Sequence, residues 1–217
     1  MADITIYLGN KNYSSWSLRG WLMLKASGLE FDEVIIPLDE PTTRETVLRH
    51  SPSGRVPAIR HGEHTIWDTM AIGEYLNEVA PDAGLWPADR AARAIARSVS
   101  AEMHSGFADL RGHFPMNMRS TFSDLSPTPA AQADINRIAA IWRDCRRRFG
   151  GTGEFLFGGF TIADAMFAPV VSRFRTYKIE ADEVAEAYEE AVWNLPAMQE
   201  WVAAAKKEPM VIPYAEF

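Results

Sequence analysis

The chain has 217 residues, 47% of them hydrophobic, a formal net charge of −7 and one cysteine, Cys145. Its length and hydrophobic content allow one large domain or two small ones around a substantial core. The negative charge argues against a nucleic-acid partner, and a lone cysteine excludes an internal disulfide and gives no metal-site spacing. Because no segment is apolar enough to cross a bilayer and no signal peptide is visible, we expect a cytoplasmic protein with neither a membrane partner nor a metal.

The first half of the chain alternates strand and helix patterns. Apolar residues alternate with polar ones in the strands, and they recur at three and four positions in the helices. The predicted order is a strand at 4–8, a helix from 14 to 28, a strand at 31–36, a short helix at 42–49, strands at 58–60 and 65–67, and a helix at 68–79. This βαβ unit followed by a ββα unit indicates an α/β layer with a right-handed crossover.

The second half of the chain contains helix patterns and no convincing strands. Residues 81–89 (PDAGLWPAD) are predicted to form a proline-marked linker. Apolar stripes then predict one helix from Arg90 to about Gly112 and another through 135–149. We therefore expect an α/β domain at 1–80 and an all-helical domain at 90–217.

A capping signal begins a further helix in the second half. Thr161 and Asp164 have the spacing of a capping box, with Asp in place of the usual Glu or Gln, before a run of apolar residues. We expect this pair to serve folding, since the loss of such a cap costs about 0.5–2 kcal/mol. Pro169 is expected to kink the helix that follows.

The segment 53–76 predicts a ligand site. Asp68 and Thr69 are good N-cap residues directly after a strand, and the unpaired N–H groups of such a helix start suit a carboxylate. The side chain of Asp68 suits an ammonium group, so the α-amino acid end of a peptide fits the pair. A cis bond before Pro57 would turn the N–H and C=O of Val56 outward, toward an extended peptide. The simpler alternative is that Pro57 begins an edge strand and Asp68 only caps a helix.

Three motifs give the chain a resemblance to the glutathione S-transferase superfamily. They are SPSGRVP at 51–57 followed by WDTMAI at 67–72, FGGFTIAD at 157–164, and SSWSLR at 14–19. The resemblance implies a thioredoxin-like N-terminal domain, an all-α C-terminal helical domain, and a homodimer that uses glutathione as co-substrate. It also implies a set of glutathione-binding residues, which are Trp16, Arg55, Val56, Pro57, Asp68 and Thr69.

Ser14 and Ser15 stand where the loop after the first strand meets the first helix. A free thiol is only about 3% ionised at pH 7, and a hydroxyl donor at a helix N-terminus favours the thiolate. As bare residues, two serines there are more often plain helix caps. SSWSLR resembles the Ser-Ser-Cys-Ser-Trp-Arg stretch of the serine-type zeta class, which implies that Ser14 is the catalytic serine, with Ser15 as the second candidate. Trp16 stands where the zeta class has cysteine, and this departure argues against zeta-type isomerisation of maleyl compounds.

The small electrophile that the thiolate attacks is expected to bind between the two domains, a common place for pockets. The candidate wall residues are Phe107, Arg111, Phe114, Arg173 and Arg175. The apolar residues also fit a core stripe. Arg173 and Arg175 would attract an anionic substrate, although ordinary solvent exposure explains them equally well.

Three functions fit this pattern. The leading one is conjugation, in which the thiolate of bound glutathione attacks an electrophilic carbon. The second is glutathione-dependent cis–trans isomerisation, in which the thiol adds and leaves again. The third is a non-catalytic binding protein on the same scaffold, similar to the stringent-starvation-type regulators that bind RNA polymerase. The presence of Ser14, Val56, Asp68 and Thr69 argues against the third.

Overall fold

A four-stranded mixed sheet forms the first part of the fold in a computed structural model, which describes residues 2–216. The strands are β1 (Ile4–Leu8), β2 (Phe31–Ile35), β3 (Ala58–His61) and β4 (His64–Trp67). Their order across the sheet is β2-β1-β3-β4. β1 runs parallel to β2 and antiparallel to β3, with Ile4 opposite both Phe31 and His61. β3 and β4 form an antiparallel hairpin.

Three helices complete the predicted thioredoxin-like order, which is confirmed. They are α1 (Ser15–Ser27), α2 (Thr43–Leu48) and α3 (Thr69–Val79). α1 begins at its N-cap Ser14 and ends at Gly28, whose φ of 72° lies in the left-handed region that favours glycine. α3 begins at its N-cap Asp68. The caps that the sequence predicted therefore set the starts of both helices.

The second part of the fold is helical, as predicted. Its helices are α4 (Arg90–Ser105), α5 (Ala108–His113), α6 (Pro129–Phe149), α7 (Ile162–Tyr177), α8 (Glu183–Trp193) and α9 (Pro196–Ala205). The single helix predicted from 90 to 112 was wrong. Gly106 is extended and Phe107 has a φ of 59°, so α4 ends and α5 starts in a new direction. Glycine is a poor helix former, and the break leaves the Phe107 ring 7% exposed within the core.

α7 lies at the centre of the helical part and joins it to the sheet part. Nearly all of its residues are buried, and the helix continues through Pro169. Arg19 in α1 donates from Nε to the carbonyl of Met166 in α7 at 2.9 Å. A Cβ at Gly73 in α3 would lie 3.1 Å from the side chain of Ile162, so only a small residue lets α3 approach α7 this closely. Across the described residues, no helix combines the length and apolar character needed to cross a membrane.

The start of α7 is held by the predicted capping pair. The carboxylate of Asp164 accepts hydrogen bonds from the N–H of Thr161 at 2.8 Å and from its hydroxyl at 2.9 Å. It also accepts from the N–H of Leu156 at 3.1 Å. Both Thr161 and Asp164 are buried. The carboxylate therefore ties the preceding loop to the helix start.

Thr161→Ala is expected to lower the free energy of unfolding by about 1 kcal/mol, because it removes one donor to the carboxylate. Asp164→Ala is expected to cost on the order of 3 kcal/mol or more, because three buried donors lose their acceptor. Urea unfolding followed by far-UV circular dichroism measures both losses. Equal losses in the two variants would show that Asp164 is not the residue that organises this helix start.

Candidate active site

A cleft of about 1010 Å³ lies between the sheet part and the helical part. Most of the residues that the sequence singled out line it: Ser14, Ser15, Trp16, Arg55, Val56, Pro57, Asp68, Thr69, Arg111 and Arg173. They come from the N-termini of α1 and α3, the loop before β3, and helices α5 and α7. The fold thus brings together residues that are as much as 159 positions apart in the chain.

The N-terminus of α1 faces the cleft with two serines. The Oγ of Ser14 accepts from the N–H of Ser17 at 3.3 Å and donates to the Oγ of Ser17 at 2.7 Å. The same Ser17 oxygen accepts from the N–H of Gly9 at 2.9 Å, which fixes the loop after β1. The hydroxyl of Ser15 makes no hydrogen bond with any residue in 2–216. Ser14 is therefore the helix cap, and Ser15 carries the unengaged hydroxyl.

The loop before β3 presents its backbone to the cleft. The peptide bond between Val56 and Pro57 is cis, as predicted. The Pro57 ring packs against α1, where a Cβ at Gly20 would lie only 2.9 Å from its Cγ. Within the described residues, the N–H and the C=O of Val56 make no hydrogen bond. These groups are open to pair with an extended ligand.

The start of α3 forms another wall of the cleft. Asp68 has the unusual φ of 74° and accepts from the N–H of Met70 at 2.9 Å. The N–H of Thr69 has no partner among the described residues, and the Thr69 side chain is buried beside it. A carboxyl group placed here would meet an N–H, a hydroxyl and the positive end of the helix dipole.

His104 in α4 is a cleft residue that the sequence reasoning missed. Its Nε2 lies 3.2 Å from Oδ2 of Asp68, and its Nδ1 lies 3.5 Å from the hydroxyl of Thr69. Its ring makes an edge contact with Trp16 at 5.0 Å between ring centroids. The contact of His104 with Asp68 depends on how α4 packs beside α3, and no local sequence pattern predicts that packing.

The C-terminal segment contributes to the lining of the cleft, which the sequence also did not indicate. Tyr13 and Tyr214 line the cleft. The hydroxyl of Tyr13 donates to Glu216, which also accepts from Nη2 of Arg119 at 2.8 Å. Burial, followed by the bond to Glu216, raises the pKa of Tyr13. This cluster ties the loop before Ser14 to the end of the chain.

Two guanidinium groups lie over the ring of Trp16. The guanidinium of Arg19 lies 4.4 Å from the centroid of the Trp16 ring, and that of Arg111 lies 4.9 Å from it. Burial, and then repulsion from Arg111 and Arg173, lowers the pKa of Arg19 well below its usual value. Burial, with repulsion from Arg111, also lowers the pKa of Arg173 to about 10, which leaves it charged at neutral pH.

Three of the predicted wall residues do not line the cleft. Phe107 and Phe114 are buried in the core, at 7% and 0% exposure. Arg175 lies on the opposite side of α7 from the cleft residues, paired with Glu190 at 2.9 Å and stacked over Trp193. The prediction of a wall formed by these residues was wrong, while Arg111 and Arg173 do line the cleft.

Family models match both parts of the chain. The model described as glutathione S-transferase, N-terminal domain, matches residues 13–79. The model described as glutathione S-transferase, C-terminal domain, matches residues 128–204. The two matched segments include the serines, the cis-proline loop, the start of α3 and all of α7.

Individual proteins are similar to the chain along most of its length. Maleylacetoacetate isomerase from Mus musculus is 33% identical over 180 residues, which are 81% of this chain and 80% of that protein. The Rattus norvegicus protein of the same name is 27% identical over 183 residues, with the same shares. A solved structure of a glutathione transferase homologue from Burkholderia gl BGR1, with bound glutathione, is 28% identical. Its TM-score is 0.72, over 94% of this chain and 99% of that one.

Proposed function

Because the chain belongs to the glutathione S-transferase superfamily, we propose that it binds glutathione in the cleft and presents the thiolate to an electrophilic small molecule. The observation that carries the proposal is the convergence of three features on one cleft. These are the α1 N-terminus with its serines, the open backbone of Val56, and the α3 N-terminus with Asp68. A thiol, a peptide unit and an amino-acid end are the groups that these features suit.

The γ-glutamyl end of glutathione is placed at α3. Its α-carboxylate accepts from the N–H and the hydroxyl of Thr69, and its ammonium faces the carboxylate of Asp68. Val56 pairs with the backbone of the cysteinyl residue, while the ring of Trp16 packs beside it. Arg55 is exposed and makes no ion pair within residues 2–216, so it is available for the glycyl carboxylate.

The thiol is placed at the N-terminus of α1, with Ser14 as the serine-type donor. For this, Ser14 turns its O–H from the Oγ of Ser17 toward the sulfur, without moving its oxygen. The exchange gives up a neutral hydrogen bond of about 1 kcal/mol for one to an anion, worth roughly 1.5–3 kcal/mol. The helix dipole favours the same anion. The sulfur is the nucleophile, and the serine only stabilises its charge.

Asp68→Ala is expected to weaken glutathione binding because the α-ammonium loses its partner, and Thr69→Ala because the carboxylate loses a donor. Each loss is worth roughly 1.5–3 kcal/mol, or about tenfold or more in Kd. Isothermal titration calorimetry measures both. Asp82→Ala, at an exposed aspartate in the 3₁₀ turn after α3, is the matched control. Unchanged affinity in both variants would remove this site from the proposal.

Ser14→Ala is expected to leave the affinity for glutathione nearly intact and to raise the pKa of its bound thiol. Loss of one such donor costs about 2–4 kcal/mol in a site that excludes water, so turnover near neutral pH falls steeply. Thiolate absorbance against pH, with glutathione bound, measures the pKa. Ser15→Ala is the comparison variant. An unshifted pKa in Ser14→Ala beside a raised one in Ser15→Ala would transfer the role to Ser15.

A second candidate is glutathione-dependent isomerisation, which the similarity to two maleylacetoacetate isomerases favours. In that reaction the thiolate adds to a cis double bond, the bond rotates, and the thiolate leaves. Isomerisation regenerates glutathione, whereas conjugation consumes it. Incubation with maleylacetoacetate and a limiting amount of glutathione distinguishes isomerisation from conjugation, because only an isomerase converts more substrate than the amount of glutathione supplied.

The third alternative, a non-catalytic regulator with a degenerate pocket, would not be retained on immobilised glutathione.

The homodimer and the cytoplasmic location stay predictions. Light scattering is expected to give twice the chain mass of 24.3 kDa in solution. A mass of one chain at micromolar concentration would rule the dimer out.

A further inference from the structure

Two arginines of the helical part line the cleft. Arg111 is in α5 and Arg173 is in α7. Arg173 is only 5% exposed, and its Nε and Nη1 donate to the carbonyls of Phe114 at 2.7 Å and Pro169 at 2.9 Å. Its Nη2 makes no hydrogen bond with any described residue. Two carbonyls of the core therefore fix the Nε and Nη1 side of the Arg173 guanidinium, and its Nη2 is left as a donor at the cleft wall.

Arg111 is held in the same region by an aromatic ring. Its guanidinium lies over Trp16, and its Nη1 makes one long bond of 3.3 Å to the carbonyl of Gly106. Arg19 lies over the same ring and is 1% exposed, with an Nη1 that has no partner in the described part of the chain. Two guanidinium groups therefore lie over one indole, and Arg173 is close enough to repel both of them.

Among the described residues, these three arginines make no ion pair, and Asp68 attracts only Arg19, in a chain with 29 acidic residues against 22 basic ones. By contrast, Arg97, Arg119 and Arg137 each pair with a glutamate at 2.9 Å or less. Burial lowers the pKa of Arg111 as well as that of Arg173. A buried cation without a partner is costly, so a bound anion would relieve the repulsion among them.

We propose that the acceptor half of the cleft takes an electrophile that carries a carboxylate, bound by Arg111 and Arg173. This rests on the proposed function, which assigns both carboxylates of glutathione to Thr69 and Arg55 in the sheet part. The arginines of the helical part are then left for the second substrate. With a halogenated aromatic carboxylate, the sulfur forms a bond to the ring carbon and the halide leaves with its electron pair. No oxidant or reductant is needed.

Two glutathione conjugates that differ in one group test this inference without turnover. They are S-(4-carboxybenzyl)glutathione and its neutral match, S-(4-carbamoylbenzyl)glutathione, with S-methylglutathione as the ligand that lacks the acceptor half. By calorimetry, the carboxy conjugate is expected to bind the wild-type protein about tenfold or more tightly than the carbamoyl conjugate. Arg111→Gln is expected to reduce that ratio severalfold, since only Arg173 then remains, and Arg111→Lys is expected to retain more of it.

Arg175→Gln is the matched control, since it removes one positive charge from α7 away from the cleft and is expected to keep the wild-type ratio. Equal affinities of the two conjugates in the wild type, or an unchanged ratio in Arg111→Gln, would overturn the inference. So would a loss of S-methylglutathione affinity in Arg111→Gln, because Arg111 would then bind glutathione itself. If S-methylglutathione fails to bind the wild type, the result contradicts the proposed function and therefore also this inference.

Discussion

The N-termini of α1 and α3 open into one cleft, and every other feature of the site depends on that placement. Within residues 2–216, each helix start has N–H groups that make no hydrogen bond, and each has the positive end of a helix dipole, so each favours an anion. In the proposed complex, the anion at α3 is a carboxylate that meets Thr69, and the anion at α1 is a thiolate that meets Ser14. The cis-proline loop lies between them with its Val56 backbone open. A peptide with a thiol in its middle residue matches that arrangement.

The packing of α1 against α7 holds this arrangement in place. Arg19 in α1 donates a hydrogen bond to the carbonyl of Met166 in α7. Gly73 has no side chain, which lets α3 also pack closely against α7. The capping pair Thr161 and Asp164 fixes where α7 begins. The same helix supplies Arg173 to the cleft, so the element that joins the two parts of the fold also sets the charge of the acceptor half. Under the proposed function, α7 therefore contributes both to stability and to the choice of substrate.

Local sequence patterns predicted the elements whose ends are set by local chemistry. The caps at Ser14, Asp68 and Thr161, and the proline of the loop before β3, are all signals within a few residues. The break between α4 and α5 was missed because the apolar stripe continues through Phe107, and only tertiary packing decides that its ring turns inward.

The charge of the site was beyond sequence reasoning for a related reason. Arg19, Arg111 and Arg173 lie in three separate helices, and they come near one another only because those helices pack together. Likewise, nothing near His104 in the sequence indicates that it contacts Asp68. Arg173 and Arg175 are the exception, because they stand two positions apart and the helical period alone places them on different sides of α7.

A crystal structure of the wild-type protein with glutathione tests the central claim most directly, since that claim concerns where each end of the peptide lies. The account predicts the α-carboxylate at the N–H of Thr69, the cysteinyl backbone paired with Val56, and the sulfur within hydrogen-bond distance of the Ser14 hydroxyl. Glutathione bound in the reverse direction, or with its sulfur away from the N-terminus of α1, would contradict it.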